Sequence, residues 1–371
     1  MNAFTTDYQA IVGKIETIEP VQYASTRNYL NGAVTYLSPY ISRGVISTKQ
    51  VLESLLARGF QRYELEKLVQ ELAWRDYFQR VWEALGDKLH QDIKQPQPSV
   101  HYTNTLPTAL EKAETGIEGI DKAIQNLYET GYMHNHARMY MASLACNVGK
   151  AHWCLPSRWL YYHLLDADVA SNTCSWQWVA GAFSSKKYYA NQENINRYLR
   201  TKQTGTFLDT TYDALPTLPI PAVLEAQASP TLPVELPESE EFTLDTSKPT
   251  LLYNAYNLDV LWHAGEDVNR ILLLEPSHFV QYPMSRKTID FILALSRNIP
   301  NIRLWVGELS ALQARFGLQN EQFIFKKHPA FEHYVGKAEE RDFMFPELKG
   351  YFPSFFNYWN KCERYFKQLF A

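Results

Sequence analysis

Two stretches decide the reading of this chain: TGYMHNHARMYMAS at residues 130–143 and LLDADVASNTCSWQWVAG at residues 164–181. Read as helical, the first puts Asn135 and Met139 on one face at i,i+4, and pairs His134 with Arg138 in the same way. The second sets Asp168 and Asn172 one turn apart and flanks Gln177 with Trp176 and Trp178. A third stretch, ELAWRDYF at 71–78, lines Glu71, Trp74 and Arg75 along one side. Singly, each has an ordinary explanation: histidines on amphipathic helices are usually satisfied, tryptophans are usually core, and Asp–Arg pairs are usually structural. Together they describe a helical pocket for a large, flat, polar ligand, with aromatic faces to stack on rings and carboxylates and amides to hold their edges. Neither GxGxxG nor GxxxxGK followed by Ser or Thr occurs, so a glycine-rich phosphate loop is not the route.

Outward from these stretches, apolar residues recur at three- and four-residue intervals from Ile41 to about Arg200, as in ELEKLVQELAWRDYFQRVWEAL and GIDKAIQNLYETG. That pattern predicts an all-helical domain over residues 1–205. Residues 206–249 are proline-rich and acidic without a sustained period, which predicts an extended linker. Beyond it, TLLYNAY, RILLLEP, IRLWVGE and QFIFKK read as strands, and SRKTIDFILALSRNI and SALQARFG read as helices. Strands alternating with helices predict an α/β domain with a parallel sheet over 250–371. It closes on PSFFNYWNKCERYFKQLF, a helix with aromatics at helical spacing that is expected to pack back on the body.

The net charge of −4 divides unevenly. Residues 1–205 carry 21 Lys and Arg against 19 Asp and Glu, and the remainder carries 15 against 21. A slightly basic first half permits nucleic-acid binding on one face without establishing it. No apolar run approaches the roughly 18–20 residues of a membrane span, and the start lacks a basic patch followed by an apolar core. A soluble cytoplasmic protein is expected. Cys146, Cys154, Cys174 and Cys362 have no paired CxxC spacing, so no metal site is expected.

The two opening stretches closely resemble the FAD-binding signature of DNA photolyases and cryptochromes. TGIEGIDKAI resembles the preceding helix, ELAWRDYF the lining of the substrate cavity, and YASTRNY with VTYLSPYISRGVIS the loop around the FAD diphosphate. The resemblance covers roughly residues 20–200. It implies a photolyase-type FAD-binding domain followed by a Rossmann-like domain of the antenna type. It also implies that Tyr23, Thr35, Leu37 and Ser38 sit on the FAD phosphates, that Val34 and Tyr36 bind the cofactor as well, and that Arg138, Asp166, Asp168 and Asn172 surround the flavin. Asn172 should face flavin N5, where an amide suits a reduced flavin and where plant-type sensory members have an acid. Glu71, Trp74, Asn135, Met139 and Trp178 match positions that hold a cyclobutane pyrimidine dimer; six-four photolyases have histidine at the positions of Asn135 and Met139. Arg27, Arg75, Lys186 and Lys187 are the candidate DNA-phosphate contacts. The implied activity is light-driven: excited reduced FAD donates an electron to a flipped-out dimer, the ring splits, and the electron returns. A sensor of the cryptochrome type is the alternative, and a flavin-containing nucleic-acid-binding protein without light chemistry is a third reading.

The chain departs from the family in three ways. Its antenna-type half follows the helical half, as in a circular permutation, and a second chromophore there is possible but unidentified. Trp176 and Trp153 match the inner and middle members of the electron-relay tryptophans, but no Trp lies between Trp82 and Trp153 to serve as the outer one. Tyr102 is nearest by spacing, so slow or rerouted photoreduction is expected. His136 replaces an arginine expected at DNA and Tyr132 replaces a tryptophan, which favours damaged single-stranded DNA over duplex.

Overall fold

A computed structural model describes residues 4–370, and these divide into two compact units. The borders differ from the expected division at 205 and 249. The first unit comprises Glu19–Val34 and Leu85–Leu232; the second comprises the described part of Asn2–Ile18 together with Thr35–Ala84 and Pro233–Ala371.

In the first unit the helix Val169–Ala180 packs against Asn135–Ser143 and Cys154–His163. Eight of its twelve residues are buried, with Ala170, Cys174 and Ala180 small enough to admit neighbours closely. A helix buried nearly all round shows no amphipathic stripe, and its ends are set by side-chain chemistry instead. Asp168 is the N-cap, accepting from the Ser171 amide at 2.7 Å, and Gly181 closes the helix at φ 82°. The helix Glu118–Thr130 ends in the same way at Gly131, φ 73°. A Cβ on Gly131 would lie 2.6 Å from Leu165 Cγ, so only glycine fits both the turn and the approach.

Part of the proline-rich stretch belongs to this unit. Gln227–Ala228 pairs antiparallel with Leu106–Pro107, and Leu215 and Leu224 are buried. The following residues belong to the second unit, where the Ser239 hydroxyl accepts from the Val306 amide at 2.8 Å and Glu240 N donates to Leu304 O.

The second unit holds a five-stranded sheet: β1 (Thr250–Tyr253), β2 (Asn269–Leu274), β3 (Ile302–Val306), β4 (Phe323–Lys326) and β5 (Lys337–Glu339). All pairs are parallel, in the order β3-β2-β1-β4-β5. Leu252 in central β1 faces Ile271 on one side and Phe325 on the other. All four β1 residues are buried, which accounts for a continuous apolar run rather than alternation. The sequence reading missed β5, because KAE is a short, charged edge strand with no apolar pattern to detect.

Helix Arg62–Leu85 runs through Thr35–Ala84, which the sequence reading assigned to the helical domain. Several contacts join it to the C-terminal segment. The Asp76 carboxylate accepts from the Met344 amide at 2.9 Å, and Arg341 donates to Gln79 and Glu83 at 2.5 and 2.6 Å. The ring of Phe355, in helix Phe355–Gln368, lies against Trp74. The apolar spacing of residues 64–85 signals a helix without revealing which distant segment covers it. Among the described residues no helix is long and apolar enough to cross a membrane, and no group of His, Cys, Asp and Glu could hold a metal ion.

Candidate functional site

In the first unit, Arg138 and Asp166 form the centre of a polar cluster. One Arg138 Nη2 donates to both carboxylate oxygens of Asp166, at 2.8 and 3.0 Å, and Nε donates to Met133 O at 2.8 Å. Asp166 is almost fully buried while Arg138 is partly open, so the pair presents a fixed cation at the edge of a buried anion. Asn172 lies one turn into the helix that Asp168 caps. Its Nδ2 donates to Ser157 O at 2.9 Å, which leaves Oδ1 as the end of the amide able to accept from a ligand. Asp168 is buried and occupied in part by its own helix start. Ser157 and Met133 were invisible as site residues in the sequence, because both act through backbone carbonyls.

Asn135 opens helix Asn135–Ser143 and is exposed, with its amide 3.8 Å from Met139 Sδ. His134 lies just outside the helix as its cap: its Nδ1 accepts from the His136 amide at 3.2 Å, and its Nε2 lies 3.1 Å from Arg27 O. As the cap it is only half within the helix, and its carbonyl still accepts from the Arg138 amide at 3.1 Å. Burial, with His134 and Arg27 nearby, holds His136 down to about 4, so its ring is neutral at pH 7. Trp178 is 37% exposed and packs on Tyr188 at 5.8 Å. Lys186 is exposed; Lys187 is half-buried, and burial with Lys150 nearby lowers it to about 8. Tyr23 and Arg27 fall in and just after helix Pro20–Thr26, and Val34 ends this segment of the unit.

Trp153 and Trp176 are both buried. Trp153 Nε1 donates to Asp92 Oδ1 at 2.6 Å, and its backbone amide donates to Gln97 Oε1 at 2.9 Å. Gln97 lies in the QPQPS loop, whose prolines concealed this role. Tyr102 joins the same strip of chain through its backbone: its amide donates to Lys150 O and its carbonyl accepts from the His152 amide.

In the second unit, the Thr35 hydroxyl accepts from the Leu37 amide at 3.4 Å. Tyr36 adopts φ 54°, Leu37 is buried, and Ser38 begins the short helix Ser38–Ser42. Glu71 pairs with Lys67 at 2.8 Å, and Arg75 Nη2 donates to Ser42 Oγ at 3.0 Å. Trp74 is half-buried, with one face covered by Phe355.

Residues 68–235 match the family described as the FAD binding domain of DNA photolyase. These residues form an FAD-binding domain of the photolyase type. It is 29% identical over 177 residues to a deoxyribodipyrimidine photo-lyase of Alkalihalophilus pseudofirmus, covering 47% of this chain and 37% of that protein. It is 31% identical over 191 residues to a cryptochrome DASH of Natronomonas pharaonis, covering 48% and 39% respectively. The crystal structure of a Synechocystis cryptochrome aligns with a TM-score of 0.47 at 23% identity, over 53% of this chain and 44% of that one. The matches span about two fifths of the length of these curated relatives.

Proposed function

We propose that this protein repairs cyclobutane pyrimidine dimers in DNA with light, as a photolyase. The observation that carries the reading is the Asn172 amide, whose Nδ2 is committed to Ser157 O. The remaining Oδ1 is an acceptor, which suits a flavin carrying a hydrogen on N5. The other polar groups fit the same cofactor. Arg138, steadied by Asp166, offers a fixed cation to a ring edge, and Asp168 completes the polar side. In the first unit, the Tyr23 phenol is suited to a phosphate oxygen. When bound and reduced, FAD supplies on excitation the electron that opens the dimer and afterwards takes it back.

The chain's own residues hold the lesion. Trp178 presents an indole face to a damaged base. Asn135 hydrogen-bonds a base edge, and Met139 fills the space beside it. Arg27, Lys186 and Lys187 meet backbone phosphates. The neutral ring of His136 contributes no cation to that contact, which favours single-stranded or already flipped-out substrate that needs no unpairing. Loss of thymine dimers from a single-stranded oligonucleotide under blue light, against a dark control, tests the reading. A second reading, a cryptochrome-type sensor, is favoured by the 64% exposed Phe356 on the C-terminal helix, a surface open to a partner. FAD-loaded, reduced protein that leaves dimers intact under light would select it.

A further inference from the structure

We propose that Asp92 accepts the indole proton of Trp153 when that residue is oxidised, and that this transfer makes Trp153 the terminus of the internal electron route. The inference rests on the reading of Trp176 and Trp153 as electron carriers to a photoexcited flavin. Its geometric basis is the 2.6 Å contact from Trp153 Nε1 to Asp92 Oδ1, short against the usual ~2.9 Å for N–H···O. The contact is built rather than incidental, because Gln97 fixes both partners. The Gln97 amide donates to Asp92 Oδ2 at 2.8 Å, its Oε1 accepts from the Trp153 amide at 2.9 Å, and its Nε2 donates to Ala151 O at 2.9 Å. His152 Nε2 lies 3.5 Å from the same Asp92 Oδ1. Trp153 is 1% exposed whereas the Asp92 side chain is 22% exposed, so the carboxylate links a buried indole to solvent.

The chemistry follows from what oxidation does to an indole. A neutral indole N–H donates a hydrogen bond and keeps its proton, but one-electron oxidation turns it into an acid. The oxidant is the light-excited oxidised flavin of the proposed function, which takes an electron from Trp176; Trp176 is refilled from Trp153. The Nε1–H bond of Trp153 then breaks, the proton passes to Asp92 Oδ1, and the bonding pair stays on nitrogen, leaving a neutral indolyl radical. A soluble thiol later returns the electron, and Asp92 returns the proton. No Trp follows Trp82 before Trp153, so a third indole is missing from the span where the relay would continue. Moving the proton does the work of moving the charge: once it has left, electron return from the flavin is no longer a simple reversal. Tyr102 joins this strip by backbone hydrogen bonds, and its ring packs edge-on against His101 at 4.6 Å.

Asp92→Asn tests the idea without removing the hydrogen bond, since the amide oxygen still accepts from the indole but takes up no proton. Full-length protein loaded with oxidised FAD is flashed in the presence of a thiol, and tryptophan radicals are followed by transient absorption. The wild type should show a tryptophan radical cation converting to the neutral radical, more slowly in D2O. Asp92→Asn should lose the conversion, and stable photoreduction should fall at least about ten-fold, as for loss of a positioned base. In the apoprotein, the Trp153 indole N–H resonance should lie downfield in the wild type and move upfield in the variant, a readout independent of flavin. Unchanged conversion and yield in Asp92→Asn would overturn the proposal. So would normal photoreduction in Trp153→Phe, or its abolition in Tyr102→Phe, which would place the terminus on Tyr102. Repair by dithionite-reduced wild-type protein, measured alongside, separates failure of this inference from failure of the photolyase reading.

Discussion

The indole of Trp74 lies flat on the ring of Phe355, with centroids 3.6 Å apart and planes 8° from parallel, although 281 residues separate them in sequence. Phe355 is itself buried, with Trp359 stacked behind it at 6.4 Å. One face of Trp74 is thereby fixed by the C-terminal helix, and on the proposed reading the other meets a damaged base. Phe355→Leu should lower stability by about 1–2 kcal/mol, the scale of a lost aromatic pair with some packing. It should also weaken binding of a dimer-containing oligonucleotide several-fold, with Phe355→Tyr restoring it. Titration with damaged and undamaged strands checks this, and equal affinities for wild type and Phe355→Leu would remove the role from Phe355.

At Gly131 the backbone turns at φ 73° while Leu165 closes over the Cα. Gly131→Ala therefore meets two penalties, the left-handed conformation and a forced shift of Leu165. Together they should cost about 2–4 kcal/mol. Because the Leu165 amide bonds Gly131 O at 2.8 Å and Asp166 follows directly, FAD content should fall with stability. Denaturant titration and bound-flavin absorbance provide the check; a variant as stable as wild type would mean that Leu165 yields freely.

His136 is uncharged at neutral pH through burial first, and then through His134 and Arg27. Acidifying from pH 7 to pH 5 should therefore add no DNA affinity through this residue. His136→Arg should tighten single-stranded binding at low salt and steepen log Kd against log salt by about 0.7 for the added phosphate contact. An unchanged slope would show that position 136 does not reach phosphate.

Asp76 titrates against the fold. Burial raises it to about 6, against the lowering effects of the Met344 amide, the Thr48 hydroxyl and the charges of Arg75 and Arg80. The folded state thus holds the proton more tightly than the unfolded one. The corresponding stability is fully present below the ordinary aspartate value of 3.8 and is lost as pH rises through about 6. The Tm difference between wild type and Asp76→Asn should shift against the wild type from pH 4 to pH 6.5 and then level off. A difference that stays flat across that range would contradict the assignment.

The one-turn spacings of Asn135 with Met139 and of Asp168 with Asn172 were legible because they are local and written into the chain. Four of the five sheet strands were legible for the same reason, each being a short, largely apolar run, while the charged edge strand Lys337–Glu339 carried no such signal. The remainder depended on long-range pairing. Residues 35–84 read as part of a helical domain, yet Asp76, Gln79 and Trp74 are bound to Met344, Arg341 and Phe355. Asp92, Gln97 and Ser157 were missed because a loop carboxylate, a loop amide and a backbone carbonyl have no sequence pattern until the fold brings them to Trp153 and Asn172.

Dimer splitting under multiple turnover is the decisive measurement for a photolyase. Full-length protein, reduced chemically and confirmed by absorbance to hold FAD, is mixed with excess single-stranded oligonucleotide bearing one thymine dimer and illuminated with blue light. Intact thymines should appear in proportion to light dose, beyond one equivalent per protein, with none in the dark. Fully reduced, FAD-loaded protein that restores no thymines in the light would contradict the photolyase reading.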